Sequence, residues 1–218
     1  MKKFSILFAT LLASLISTQA QSQLDLKLIK ETVENEKSYY NDIVNVYLSD
    51  DPLIRLDDIA LVYFGHIYSP EYRGSNDANE TKLKNHMAQG DNANAYKVAK
   101  EILSYNPVSL NALFYAWRSA EALERPQDEI KSYVTKYLNI LNMITTYGDG
   151  KSSRTAFRVI TPDDQDHILY GILDIENVKK RELDTETLCN IITVEPSKKY
   201  QSRIVYIDMS IYLANTSK

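Results

Sequence analysis

The amino-acid sequence predicts an α+β chain, mainly α: antiparallel helix hairpins over residues 21–161, then a small antiparallel β-meander over residues 162–218 packed on the helices. Three observations carry this prediction. Apolar side chains return every three to four residues between Leu24 and Ile144, the period of a helix with one buried face. After Pro162 the period falls to two, in segments rich in β-branched and aromatic residues. Between these segments stand the proline, glycine, serine and aspartate that start and stop regular structure.

Helical spacing runs from Asp25 to about Ile160. Ser38 is placed to cap a helix that carries Tyr40, Ile43, Val44, Tyr47 and Leu48 on one face, and Ser49-Asp50-Asp51-Pro52 ends it. Asp57 opens the next, with Ile59, Ala60, Val62, Tyr63 and Phe64, and Gly65 is expected just past its end. Tyr68 to Asp77 reads as loop. The clearest pattern lies between Gly90 and Leu123. Ala95, Val98, Ala99, Ile102 and Leu103 make one apolar stripe with Lys97, Lys100 and Glu101 off it. Pro107 closes that helix, because its ring disfavours helical geometry at Asn106. Ser109 caps a helix with Leu110, Leu113, Phe114, Trp117 and Ala120, and Pro126 opens a long one through Ile130, Tyr133, Val134, Tyr137, Leu138, Leu141 and Ile144.

Three strands are expected downstream: His167–Ile175, Leu188–Val194 and Arg203–Leu213. A three-stranded meander is marginal alone, so one face is expected against the helices.

The N-terminus has the pattern of a secretion signal. Met1-Lys2-Lys3 precedes an apolar stretch from Phe4 to Ile16, and Ser17-Thr18-Gln19-Ala20 places cleavage after Ala20. That stretch is shorter than the roughly 20 residues needed to span a bilayer. The single cysteine, Cys189, lies far from the cleavage site, so no lipid anchor is expected, and the mature chain is expected in the periplasm or secreted, with no integral membrane segment. Loss of residues 1–20 removes Lys2 and Lys3 and takes the net charge from −4 to −4 − 2 = −6, against nucleic acid as a partner. One cysteine allows no internal disulfide, so stability rests on packing, in which the sixteen tyrosines are expected to share.

Gly90-Asp91, the small Ala95 and Ala99, Asn106-Pro107 and Ala112 resemble the tetratricopeptide signature over about 34 residues, where small side chains let paired helices approach. More of the chain is covered by a second resemblance. Asp51-Pro52-Leu53, the run from Tyr63 to Tyr72, Gly148 to Ser152 and Ala156 to Ile160, in this order, resemble an uncharacterised family of exported proteins of Bacteroides-like bacteria, a domain of unknown function. That resemblance implies export and architecture, and no catalytic residue.

Three constellations invite chemistry, each beside a structural reading. Gly150-Lys151-Ser152 matches part of a phosphate loop in residue type, but Thr145 stands where that loop needs glycine and a helix precedes it; Gly148 and Gly150 are expected to stop the long helix and Ser152 or Ser153 to cap the next. Asp163-Asp164-Gln165-Asp166-His167 has metal-ligand types without calcium-loop spacing and reads as a solvated acidic turn feeding a strand. Cys189, with His66 or His167 as base, sits among Leu188, Ile191 and Ile192 and reads as a small apolar side chain. No catalytic residue, cofactor or metal is assigned.

The stretch Tyr63 to Arg73 gathers aromatic rings, a histidine and an arginine. Tyr63, His66, Tyr68, Tyr72 and Arg73 are therefore the candidate partner-binding residues, against the reading of a loop pinned by its own rings. The function expected is a non-catalytic exported interaction module for a protein or peptide partner. Two alternatives stand: an exported hydrolase using His66, His167 and nearby aspartates between helices and sheet, and a passive structural protein of the envelope.

Overall fold

The computed structural model describes residues 24–74 and 77–216; the expected secretion signal and its cleavage at Ala20 lie outside the described residues. The chain is α+β and mainly α. No helix among the described residues is long and apolar enough to cross a membrane.

Helix α1 (Leu26–Asn35) starts at Asp25, whose carboxylate accepts from the amides of Lys27 and Leu28. Helix α2 (Lys37–Leu48) begins after one residue, so Ser38 lies inside it, and Glu36 holds the cap position expected of Ser38. Helix α3 (Leu56–Gly65) is buried from Ile59 onward. Gly65 is its last residue and has ordinary helical φ, not a left-handed cap. A Cβ there would press on Val33 and the Tyr40 ring, so this glycine serves close helix packing.

Helix α4 (Ala78–Ala88) carries few apolar residues, and the expected pattern omits it; Asp77 caps it. Helices α5 (Asn92–Tyr105), α6 (Leu110–Ala122) and α7 (Gln127–Tyr147) match the predicted stripes and starts, with Asp91 and Ser109 as caps and Pro126 just before α7. Neighbours in sequence pack on one another from α4 to α7, and α3 packs on α7. Ala95, Ala99, Ala112 and Ala116 are fully buried between α5 and α6 beside Leu83 and Ile102. Leu138, expected on the α7 stripe, is 53% exposed.

The C-terminal part departs from the expected meander in four places. The first is β1 (Phe157–Arg158), inside the stretch read as helical, which pairs parallel to the last strand. The second is the segment expected as a strand over His167–Ile175, which is helical: a turn, α8 (Asp164–Asp166), widens into a π-helix over His167–Ile172. Buried Ile168, Leu169 and Leu173 recur at helical spacing, and the alternation of isoleucine with tyrosine and glycine hid it. The third is β2 (Val178–Asp184), a charged edge strand without the expected apolar alternation. The fourth is the last segment, which divides into β4 (Ile204–Asp208) and helix α9 (Ser210–Thr216), with Asp208 accepting from the Ser210 amide. β3 (Cys189–Val194) and β4 lie where strands are expected.

The sheet order is β1-β4-β3-β2: an antiparallel β2–β3–β4 meander with β1 added parallel on β4, so it is mixed. Ile192, Val194, Val205 and Ile207 join the core that contains Ile29, Tyr63, Leu113 and Ile140, so the sheet packs on the helices. The loop after α7 holds that contact. The carbonyl of Gly150 accepts from the Tyr206 amide and the Tyr200 hydroxyl, both at 2.8 Å. Gly150 has φ +67°, and a Cβ there would strike the Phe157 ring. This is the Gly-Lys-Ser stretch, and its serine caps a short 3₁₀ turn over Ser153–Thr155 as expected.

Candidate functional site

Five segments surround one cleft of about 270 Å³: the loop after α3, α4, the α5–α6 connection, residues 160–164 and α9. Its walls carry His66, Tyr72, Arg73, Glu80, Asn106 and Asp163.

Of the five candidate residues of the Tyr63–Arg73 stretch, the fold brings three to this cleft. His66 and Tyr72 stand ring to edge, centroids 5.7 Å apart. Arg73 lays its guanidinium over the Tyr105 ring at 3.5 Å and forms no ion pair among the described residues. Tyr63 lies beneath, wholly buried, with its hydroxyl donating to Asp164 at 2.8 Å and accepting from the Ile160 amide. Tyr68 faces elsewhere, near Lys30, and lines a shallow hollow with Tyr40 and Pro70.

The acidic run 163–166 feeds a helix, not a strand, and is only partly solvated. Thr161-Pro162-Asp163-Asp164 starts a helix: Asp164 accepts from the Thr161 amide at 3.1 Å, half of a capping box, a signal the sequence carries and the strand reading passed over. Asp164 points inward and is buried; Asp163 pairs with Lys84 at 2.6 Å; Asp166 pairs with Arg181 at 2.5 Å. Burial raises the Asp164 carboxyl to about 7, against the lowering by its Tyr63 and Thr161 hydrogen bonds. Burial also raises Glu80, whose oxygens accept from Ser109 Oγ at 2.7 Å and Asn111 Nδ2 at 3.3 Å.

Asn111 is the hub that local sequence patterns do not reveal. Its amide nitrogen donates to Glu80 and, at 3.1 Å, to Asp163, while its oxygen meets His167 Nε2 at 2.9 Å. His167 Nδ1 meets the Tyr137 hydroxyl at 3.1 Å. One tautomer fits both contacts: Nε2–H donates to Asn111, and Nδ1 accepts from Tyr137. His167 faces a second hollow, lined by Phe114, Tyr115, Tyr137 and Tyr170. Burial lowers both His66 and His167 to about 4, so both imidazoles are neutral at pH 7.

These two histidines thus open on adjacent clefts, and the group between His167 and Asp163 is an amide. No direct hydrogen bond joins either imidazole to a carboxylate among the described residues. Cys189 is buried, its sulfhydryl beside the carbonyls of Thr187 and Ser153, and burial raises its pKa. Among the described residues no group of three or more His, Cys, Asp or Glu is placed to hold a metal ion. No curated protein matches the chain, and no solved structure does. A family model described as a domain of unknown function, DUF4919, matches residues 27–218, and the chain belongs to that family.

Proposed function

We propose that the chain is a non-catalytic interaction module, exported by means of residues 1–20, that binds a protein or peptide partner at the cleft beside α4. Its helix pairs α4–α5 and α5–α6 are read as tetratricopeptide-like, with the alanines between α5 and α6 allowing close approach. The observation that carries the reading is the convergence of Tyr72, Arg73 and His66 on one cleft. Aromatic and arginine side chains are the usual anchors of interfaces, and Arg73 lies over the Tyr105 ring in the cleft and forms no ion pair among the described residues. Both nitrogens of His167 are engaged, which favours binding over acid–base work at that residue.

Pull-down from envelope extract with the processed chain, in parallel with a Tyr72→Ala/Arg73→Ala variant, tests the reading. The expected result is a discrete partner recovered by the unaltered chain and lost with the variant. Recovery of nothing above background at several salt concentrations, or equal recovery by both, overturns it.

A further inference from the structure

The cleft also points to the chemistry of what it holds. We propose that it takes a cationic side chain of the partner, a lysine-type primary ammonium, against Glu80 and the free acceptors of Asn106 and His66. This rests on the reading of the cleft as a partner-binding site.

Charge favours a cation here. Three carboxylates, those of Asp77, Glu80 and Asp163, line the cleft with two cations, Arg73 and Lys84, beside the Asp164 carboxyl that burial raises. Lys84 is held by Asp163, and Arg73 rests on Tyr105. Glu80 and Asp164 accept hydrogen bonds from neutral donors: Ser109 and Asn111 for the first, Tyr63 and Thr161 for the second. A carboxylate shielded from water and bonded to neutral donors alone is stabilised by an arriving cation more than a solvated one is.

Unfilled acceptors point the same way, independently of the carboxylates. Asn106 Oδ1 is buried in the cleft wall and accepts no hydrogen bond among the described residues. An acceptor in that condition costs free energy until a donor reaches it. His66 is 3% exposed, lines the same cleft, and has a contact at Nδ1, with Ser69 Oγ at 3.4 Å. Its Nε2 makes no hydrogen bond among the described residues. With Nδ1–H donating to Ser69, Nε2 presents a lone pair. These groups lack donors, and an ammonium supplies three N–H donors with a positive charge. An anionic or purely apolar occupant would leave Asn106 Oδ1 and Glu80 as they stand.

The test uses the processed chain and needs no unknown partner. Nα-acetyl-lysine N-methylamide is titrated while the His66 ring and Asn106 amide signals are followed by NMR, beside the Nε-acetylated analogue and Nα-acetyl-glutamate N-methylamide. Binding with Kd on the order of 1 mM is expected for the lysine compound. Neither analogue should move those signals. Glu80→Gln keeps an acceptor oxygen for Asn111, can donate to Ser109 Oγ where the carboxylate accepted from it, and should weaken binding about tenfold, the worth of one charge-assisted hydrogen bond. Equal binding of the Nε-acetylated analogue, preference for the glutamate compound, or shifts confined to other parts of the surface would overturn the proposal. The comparison among ligands stands even if the variant misfolds. Failure here alongside a captured partner that needs Tyr72 and Arg73 removes the cation and leaves the partner-binding reading; failure of both removes the site.

Discussion

Two seams beside the main apolar core of this molecule are built from opposite chemistry. Between α5 and α6 the contact is dry and small: Ala95, Ala99, Ala112 and Ala116 with Ile102 and Leu83, all without exposed surface. Between the helices and residues 160–171 it is polar and buried: Tyr63 to Asp164, then Tyr137 to His167 to Asn111 to Glu80 and Asp163. Apolar packing is indifferent to pH and to the identity of distant groups. A network of buried ionisable groups answers to both. The candidate cleft opens along the polar seam, where the fold keeps groups with hydrogen-bonding capacity left over.

The largest effect is expected in the dry seam. Ile102→Ala should cost about 2–5 kcal/mol, the usual range for a fully buried aliphatic truncation, by denaturant unfolding, and the loss should be the same at pH 5 and pH 8. A pH-dependent loss would show that the two seams are coupled.

The polar seam should dominate the pH profile of the unfolding midpoint. His66 and His167 have pKa values lowered from 6.5 to about 4, so the unfolded chain binds protons there that the folded chain refuses, and stability present above 6.5 is lost as pH falls toward 4. Asp164 has the opposite sign. Its pKa is raised from 3.8 to about 7, so stability present below 3.8 is lost as pH rises through 7. Two histidines oppose Asp164 and Glu80, which burial also raises, so the midpoint should rise only shallowly from about pH 4.5 to 6.5 and decline above it. Asp164→Asn should remove the descending limb; an unchanged decline above 6.5 would place its cause elsewhere.

The smallest effect belongs to a single link. Tyr137→Phe removes one hydroxyl from His167 and should cost about 0.5–1.5 kcal/mol. It should also move the His167 ring signals in NMR without disturbing the Asn106 amide in the neighbouring cleft. Disturbance of both would join the two hollows into one site.

The regions also differ in how far their sequence betrays them. In α5 to α7 the caps at Asp91 and Ser109, the stop at Pro107 and the start at Pro126 lie within a turn of the elements they define, and one buried face imposes the 3.6-residue stripe. Around residues 160–213 the elements are short and several are buried on more than one side, so apolar runs such as Ile168-Leu169-Tyr170 fit strand and helix alike. Strand β2 was hidden for another reason: it is an edge whose exposed Lys179, Lys180 and Arg181 carry no apolar alternation. Of the candidate site, the aromatic stretch Tyr63 to Arg73 was visible by composition. Asn111, Glu80 and Asn106 were not, since an amide or carboxylate on a helix face looks the same whether it meets water or a partner.

By itself, the sequence determined the hairpin helices α5 to α7, the burial of their alanine seam and the inert setting of Cys189, all consequences of residue type and spacing over a few turns. Tertiary structure alone decided that β1 joins β4 from upstream, and that His66, Asn106 and Glu80 face one cleft. The physical reason is separation along the chain. Tyr63 and Asp164 are 101 residues apart and Asn111 and His167 are 56 apart, and no local preference records which distant side chain will arrive to satisfy a buried polar group.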